Sequence, residues 1–190
     1  MQEKFMTEQE IIECLTRLGE GLGELGVQQP IRILMIGGAF MITQIGNREL
    51  TEDVDVLAYI DRSADDYQKL VIAASFVSVD MHVSTRWFSD GIGDLLQAAG
   101  TVPSGQLWLK HGMLEIYVPE PRYVLALKML AGGRDKDIPD IQALFQMFGI
   151  TTRKQVERLL KKYFIKQALE VYAPEISQTF VVLTEAGLLD

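Results

Sequence analysis

Apolar residues recur at alternating steps of four and three from Ile11 through Leu15, Leu18 and Leu22 to Leu25. They follow Thr7-Glu8-Gln9-Glu10, which has the Ser/Thr-x-x-Glu form of a capping box, so the pattern predicts an amphipathic helix. Ile31–Ile36 is a run rich in β-branched residues ending at Gly37-Gly38, and Ala39–Ile45 reads as one or two helical turns closed by Gly46-Asn47. The glycine pair therefore falls at a strand-to-helix corner. Val54, Val56 and Ala58 alternate with Asp53, Asp55, Leu57 and Tyr59, predicting a strand that begins with acidic residues. From Asp65 to Trp87 two periods compete. Leu70, Ala74, Val77 and Met81 fit a helix, whereas Val77, Val79, Met81 and Val83 alternate like a strand, so helix is expected to about Phe76 and the rest stays open. Ile92–Ala99 reads as a short helix, and Gln106–Lys110 with Leu114–Val118 as a hairpin turning at His111-Gly112. Beyond it, Pro121 opens a helix to Ala131, Pro139 one over Asp140–Phe148, and Pro174 a last one to Leu188. After Gly149 only helix is expected, with a second capping box at Thr152-Arg153-Lys154-Gln155 and an apolar face of Val156, Leu159, Leu160, Tyr163 and Phe164.

This order predicts an α/β (α+β) fold, a small mixed β-sheet flanked by helices. Residues 1–120 would form the core with its N-terminal helix, and 121–190 a helical C-terminal region packed on that core. A length of 190 residues, 48% hydrophobic and 23% charged, suits an ordinary packed interior. Eighteen basic against 26 acidic residues leave a net charge of −8, which disfavours a surface devoted to nucleic acid. One segment runs the other way: Arg153, Lys154, Arg158, Lys161, Lys162 and Lys166 face only Glu157. Such a stripe is either a solvated face or a seat for an RNA backbone or an acidic partner. A single cysteine, Cys14, allows no intrachain disulfide and reads as a small hydrophobe, while His82 and His111 have no ligand or nucleophile spacing. The charged start MQEKFMTEQE and the lack of an 18-residue apolar run lead to the expectation of a soluble cytoplasmic chain without a membrane span.

Two stretches invite a chemical reading. Gly21-Leu22-Gly23-Glu24-Leu25-Gly26 matches a dinucleotide fingerprint, but it lies at the end of a helix rather than between a strand and a helix, so it is set aside. Asp53 and Asp55 are two apart on a strand and so point to the same side. Two carboxylates about 5 Å apart repel by about 3 kcal/mol at an effective dielectric of about 20, and a divalent cation reverses that cost. The pair suits Mg²⁺, which takes hard oxygen ligands and shares them with substrate phosphates. The glycine corner offers backbone N–H groups to those phosphates.

Gly37-Gly38 followed by Arg48-Glu49-Leu50-Thr51-Glu52-Asp53-Val54-Asp55-Val56 resembles the glycine pair and Asp-x-Asp signature of the nucleotidyltransferase superfamily, with its polymerase-beta-like fold. Tyr123–Ala131 with Lys128, then Arg134, Asp137 and Asp140, is similar to the Lys-containing helix and Arg-Asp segment of a bacterial branch that includes DUF6036-like proteins and abortive-infection toxins. The resemblance covers about residues 31–150. It implies a Mg²⁺-dependent enzyme that moves a nucleotide from a nucleoside triphosphate to a hydroxyl of RNA, protein or a small molecule, in a toxin–antitoxin or phage-defence setting with a cognate partner protein. Asp53 and Asp55 would then hold the metal. Gly37 and Gly38 would cradle phosphates with Thr51 beside them, Arg48 or Lys128 would neutralise charge, and Asp137 and Asp140 would line the site or orient those cations. Many active members add a third carboxylate from a later strand, and Glu115 is the candidate here, although it also reads as the cross-strand partner of Lys110. Lys128 reads equally as a snorkelling helix residue, and Asp137 as an N-cap. The alternative function is a catalytically inactive nucleotidyltransferase-fold module that works by binding, as an antitoxin does.

Overall fold

Thr7 and Glu10 do form a capping box: the Thr7 N–H donates to Glu10 Oε2 at 3.0 Å and the Glu10 N–H to Thr7 Oγ1 at 3.4 Å. The helix it starts, α1 (Glu8–Glu24), buries Ile11, Leu15, Leu18 and Leu22. The protein is described by a computed structural model over residues 5–190, which divide into two units: Met1–Gly93 with Ser104–Pro119, and Asp94–Pro103 with Glu120–Asp190. The boundary near residue 120 is thus accompanied by a ten-residue excursion, 94–103, that groups with the helical unit.

The first unit holds a five-stranded sheet ordered β3-β2-β1-β5-β4. Its strands are β1 (Ile31–Met35), β2 (Val54–Ala58), β3 (Phe88–Ser89), β4 (Gln106–His111) and β5 (Leu114–Val118). β1 runs antiparallel to β2 and parallel to β5, β4 and β5 form the expected hairpin, and β2 pairs in parallel with β3. The sheet is therefore mixed, as the alternation of elements predicts. Between β1 and β2 the chain makes a short helix, α2 (Gly37–Phe40), that passes into a π-helical turn over Met41–Ile45. Ile33, Met35, Val54, Val56, Leu114 and Ile116 project from the sheet into one core with the apolar stripe of α1 and with Leu70, Ala73 and Val77 of α3 (Asp65–Asp80). Trp87 is fully buried there, its Nε1–H donating to the Ala74 carbonyl at 2.9 Å.

α3 runs on to Asp80, so the open segment after Phe76 is helix to that point and turns from there to Trp87, and the alternation from Val77 to Val83 is not a strand. The confusion has a cause: Val71, Ile72, Phe76 and Val79 are apolar yet face outward, which blurs the helical period. β3 was not foreseen, because two residues are too few to show an alternation.

The second unit holds α4 (Gly93–Ala99) from its second residue onward, α5 (Pro121–Met129), α6 (Ile138–Phe148) after a 3₁₀ turn at Asp135–Asp137, α7 (Arg153–Tyr163), α8 (Lys166–Val171) and α9 (Ala173–Glu185). The region after Gly149 is helical as expected except for a break at Phe164. Phe164 is extended and bridges Gly100, with the Thr101 N–H donating to the Tyr163 carbonyl and the Ile165 N–H to the Ala99 carbonyl, both at 2.9 Å. Tyr123 and Tyr163 pack edge to face with ring centres 5.2 Å apart, and Thr179 Oγ1 donates to the Met129 carbonyl at 3.2 Å, tying α9 to α5. Among the described residues no helix is long and apolar enough to cross a membrane.

Candidate functional site

Register builds the site in the first unit. Met35 lies opposite Val56, so the next residue, Ile36, falls opposite Asp55, and its N–H donates to the Asp55 carbonyl at 2.9 Å. The chain then leaves β1 through Gly37 at φ +68°, a left-handed conformation that glycine adopts without strain. Gly37 is required for a second reason. A side chain there would collide with Asp55 Oδ2, so the carboxylate rests directly against bare backbone. At Gly38 an added carbon would strike Thr51 Oγ1 and come within 3.0 Å of Arg48 Nη1. Thr51 is itself pinned, exchanging backbone hydrogen bonds with Met6 at 2.7 and 3.0 Å and donating its hydroxyl to the Asp53 carbonyl at 3.2 Å. Gly37, Gly38, Arg48, Thr51 and Asp55 thus meet, with Asp53 one strand period before Asp55. Both aspartates are half-buried. β3 adds a residue that sequence reasoning missed: Ser89 is the register partner of Asp55 and so shares its face.

Glu115 goes elsewhere. It pairs in register with Arg32, and Arg32 lies opposite Tyr59, whose N–H donates to the Arg32 carbonyl at 2.9 Å. Glu115 therefore has the face expected of it but sits level with a residue four places along β2 from Asp55, about 13 Å at about 3.3 Å per residue. Its carboxylate is taken by Lys110 Nζ at 2.6 Å, which, with the hydroxyl of Tyr117 at 3.4 Å, holds it below the usual carboxylate range. The cross-strand reading is the one the structure shows. Nearby, the Arg32 guanidinium lies between the rings of Tyr59 and Tyr117, 4.8 and 3.9 Å from their centres. Among the described residues no group of three or more acidic, histidine or cysteine side chains is gathered as a metal cage.

Lys128, Asp137 and Asp140 belong to the second unit, where they bind one another. Lys128 Nζ lies 2.7 Å from Asp137 Oδ1 and 2.6 Å from Asp140 Oδ2, and all three side chains are buried. Arg134 reaches Asp137 Oδ2 from the surface at 2.6 Å. Burial pushes the Asp137 carboxyl up, but the charges and hydrogen bonds of Lys128 and Arg134 outweigh it and hold the group below its usual range. Lys128 does not snorkel. Asp137 occupies the N-cap position of α6, yet its side chain makes no capping hydrogen bond and serves the two cations instead.

No family model matches the chain, and no curated protein matches it. Among solved structures the chain is similar to an antigenic nucleotidyltransferase-like protein from Paracoccidioides brasiliensis, at 16% identity over 96% of this chain and 94% of that one, with a TM-score of 0.47. A likeness that distant does not assign the chain to a family.

Proposed function

We propose that the chain is a Mg²⁺-dependent nucleotidyltransferase that moves a nucleotide from a nucleoside triphosphate to a hydroxyl group. The observation that carries this reading is the Asp55 carboxylate lying against the bare backbone of Gly37, with Arg48 and Thr51 against Gly38. Anionic and cationic side chains are thus packed against a half-buried strip of glycine backbone. A triphosphate fits such a strip: Arg48 neutralises its oxygens, and Gly37 and Gly38 admit them close to the main chain. Asp55 on β2 and Asp53 two residues earlier are hard oxygen donors, a set that fits a Mg²⁺ completed by water and phosphate rather than by a full protein cage. Mg²⁺ bound there would offset phosphate charge and the repulsion between the two aspartates. In the reaction the acceptor oxygen bonds to the α-phosphorus, the bridging P–O bond breaks, pyrophosphate departs, and the hydroxyl proton passes to solvent. RNA, protein and small-molecule hydroxyls all satisfy that chemistry, and a toxin–antitoxin or phage-defence setting with a partner protein rests on the sequence resemblance.

Calorimetric titration of each nucleoside triphosphate, with and without Mg²⁺, tests the site. Binding should need Mg²⁺ and vanish in Asp53→Ala/Asp55→Ala; binding that survives the double variant would sink the assignment. The place of Glu115 favours a second reading, a nucleotidyltransferase-fold module that holds nucleotide without turnover, since Glu115, the candidate for the third carboxylate, is tied to Lys110. Release of pyrophosphate from labelled triphosphate in the presence of RNA and protein acceptors separates the two.

A further inference from the structure

The net charge is not spread over the chain. The first unit carries eight basic and sixteen acidic residues, hence the whole of the −8, whereas the second carries ten of each. Within that balanced unit most cations are engaged. Arg153 closes on Glu157 at 2.9 Å and lies over the Phe180 ring at 4.4 Å, Lys162 on Glu120 at 2.9 Å, and Lys166 on Glu170 at 3.5 Å. Lys154, Arg158 and Lys161 are exposed and, among the described residues, have no ion pair. Their spacing of four and three puts them in one row about 10 Å long on α7, opposite its buried face of Val156, Leu159, Leu160 and Tyr163.

From this row we infer that α7 is a docking surface for the phosphate backbone of double-helical RNA, a role separate from the nucleotide site. The chemistry of the row selects this occupant. Protein partners anchor on apolar or aromatic side chains, and the row has none. Single strands are held by bases stacked on aromatic rings, which are also missing from the row. A lipid surface would take the apolar face of the helix, but that face is buried in the unit. Duplex RNA is recognised through its phosphates and shape, and its narrow major groove brings facing phosphates within reach of a single short row. The major groove of B-form DNA, about 12 Å wide, holds its phosphates further apart and is usually entered by a helix carrying base-reading side chains. Glu157, the acidic neighbour of Lys154 and Lys161 by helical spacing, is closed on Arg153 at 2.9 Å, and the Gln155 amide oxygen accepts from Thr152 in the capping box.

The test is fluorescence anisotropy of the full chain with a labelled RNA duplex of about 16 base pairs, the length spanned by known duplex-RNA modules. Three phosphate contacts predict a fall in affinity of about 20- to 40-fold between about 50 and 200 mM salt. Lys154→Gln/Arg158→Gln/Lys161→Gln should remove at least that salt-dependent part, a loss of about tenfold or more at low salt. The control Arg17→Gln/Arg86→Gln/Lys110→Gln removes the same charge from the first unit and should bind like the native chain; circular dichroism establishes that both variants are folded. The inference is overturned by any of three results: no duplex RNA binding at low salt, equal loss in the two variants, or displacement by a DNA duplex or polyglutamate as effective as by RNA of equal charge.

Discussion

Each unit contains two aspartates close in sequence, and the two pairs are used in opposite ways. Asp53 and Asp55 are half-buried, just before and on β2, in the unit that holds all the excess negative charge, with the Asp55 carboxylate against the Gly37 backbone. Asp137 and Asp140 are buried, and Lys128 lies within 2.7 Å of both. Two carboxylates cost free energy wherever they are brought together, and the cost is met either by a built-in cation or by one supplied from outside. The second unit has its cation in the covalent chain. On the proposed reading the first adds a bound Mg²⁺ beside Asp53 and Asp55, so one pair holds structure and the other binds.

Removing Lys128 makes the sharpest break in this contrast. Lys128→Met keeps most of the side-chain volume but leaves two carboxylates buried without their cation, and should cost about 3–5 kcal/mol in denaturant unfolding. Adding Asp137→Asn and Asp140→Asn to that variant should restore most of the loss, because neutral amides no longer need the ammonium. If Lys128→Met were tolerated, the cluster would not be the internal staple described here. The same cluster sets an acid limit. Asp137 titrates below its ordinary 3.8 in the folded chain, so its contribution is present above that pH and is lost as pH falls through the lower folded value. Unfolding of Asp137→Asn should therefore depend less steeply on pH below about 4 than that of the native chain.

The next largest effect falls on Gly37. Gly37→Ala places a methyl group at φ +68° and against Asp55 Oδ2, whereas Gly46→Ala meets the same kind of strain at φ +72° with open space around it. Gly46→Ala should lose about 1 kcal/mol and keep Mg²⁺-dependent nucleotide binding. Gly37→Ala should lose about 2–3 kcal/mol and the binding with it. Equal behaviour of the two variants would mean that Gly37 serves only its backbone angle.

What could be read without coordinates follows from the range of each signal. The cap at Thr7, the glycine corner, the hairpin and the proline-led helix starts are written in a few neighbouring residues, and each appears where local chemistry puts it. The meeting of Gly37, Arg48, Thr51 and Asp55 lies within the stretch that carries the motif. Glu115 shows the limit: alternation tells which face a strand residue takes, but only register tells how far along the sheet it sits. The same limit hid Ser89. The helix break at Phe164 depends on a bridge to Gly100, a partner far away in the chain. Lys128, Asp137 and Asp140 were legible as a group, but whether such a group faces solvent or itself is decided by burial, which helical spacing alone does not reveal.

The smallest stability effect belongs to Asp53→Asn, and it bears most directly on the contrast between the two aspartate pairs. The substitution keeps the size of the side chain and leaves the Thr51 hydroxyl donating to the residue 53 carbonyl, while removing one of two like charges. Stability should change by no more than about 0.5 kcal/mol, or rise slightly where no cation is present, because a half-exposed carboxylate beside another has little to lose on neutralisation. Mg²⁺-dependent affinity for nucleoside triphosphate should nevertheless fall by at least about tenfold, about 1.4 kcal/mol. Thermal unfolding and calorimetry on the same sample separate the two quantities. Should Asp53→Asn destabilise the chain as strongly as Asp137→Asn does, the exposed pair would be structural as well, and the division of labour between the units would fail.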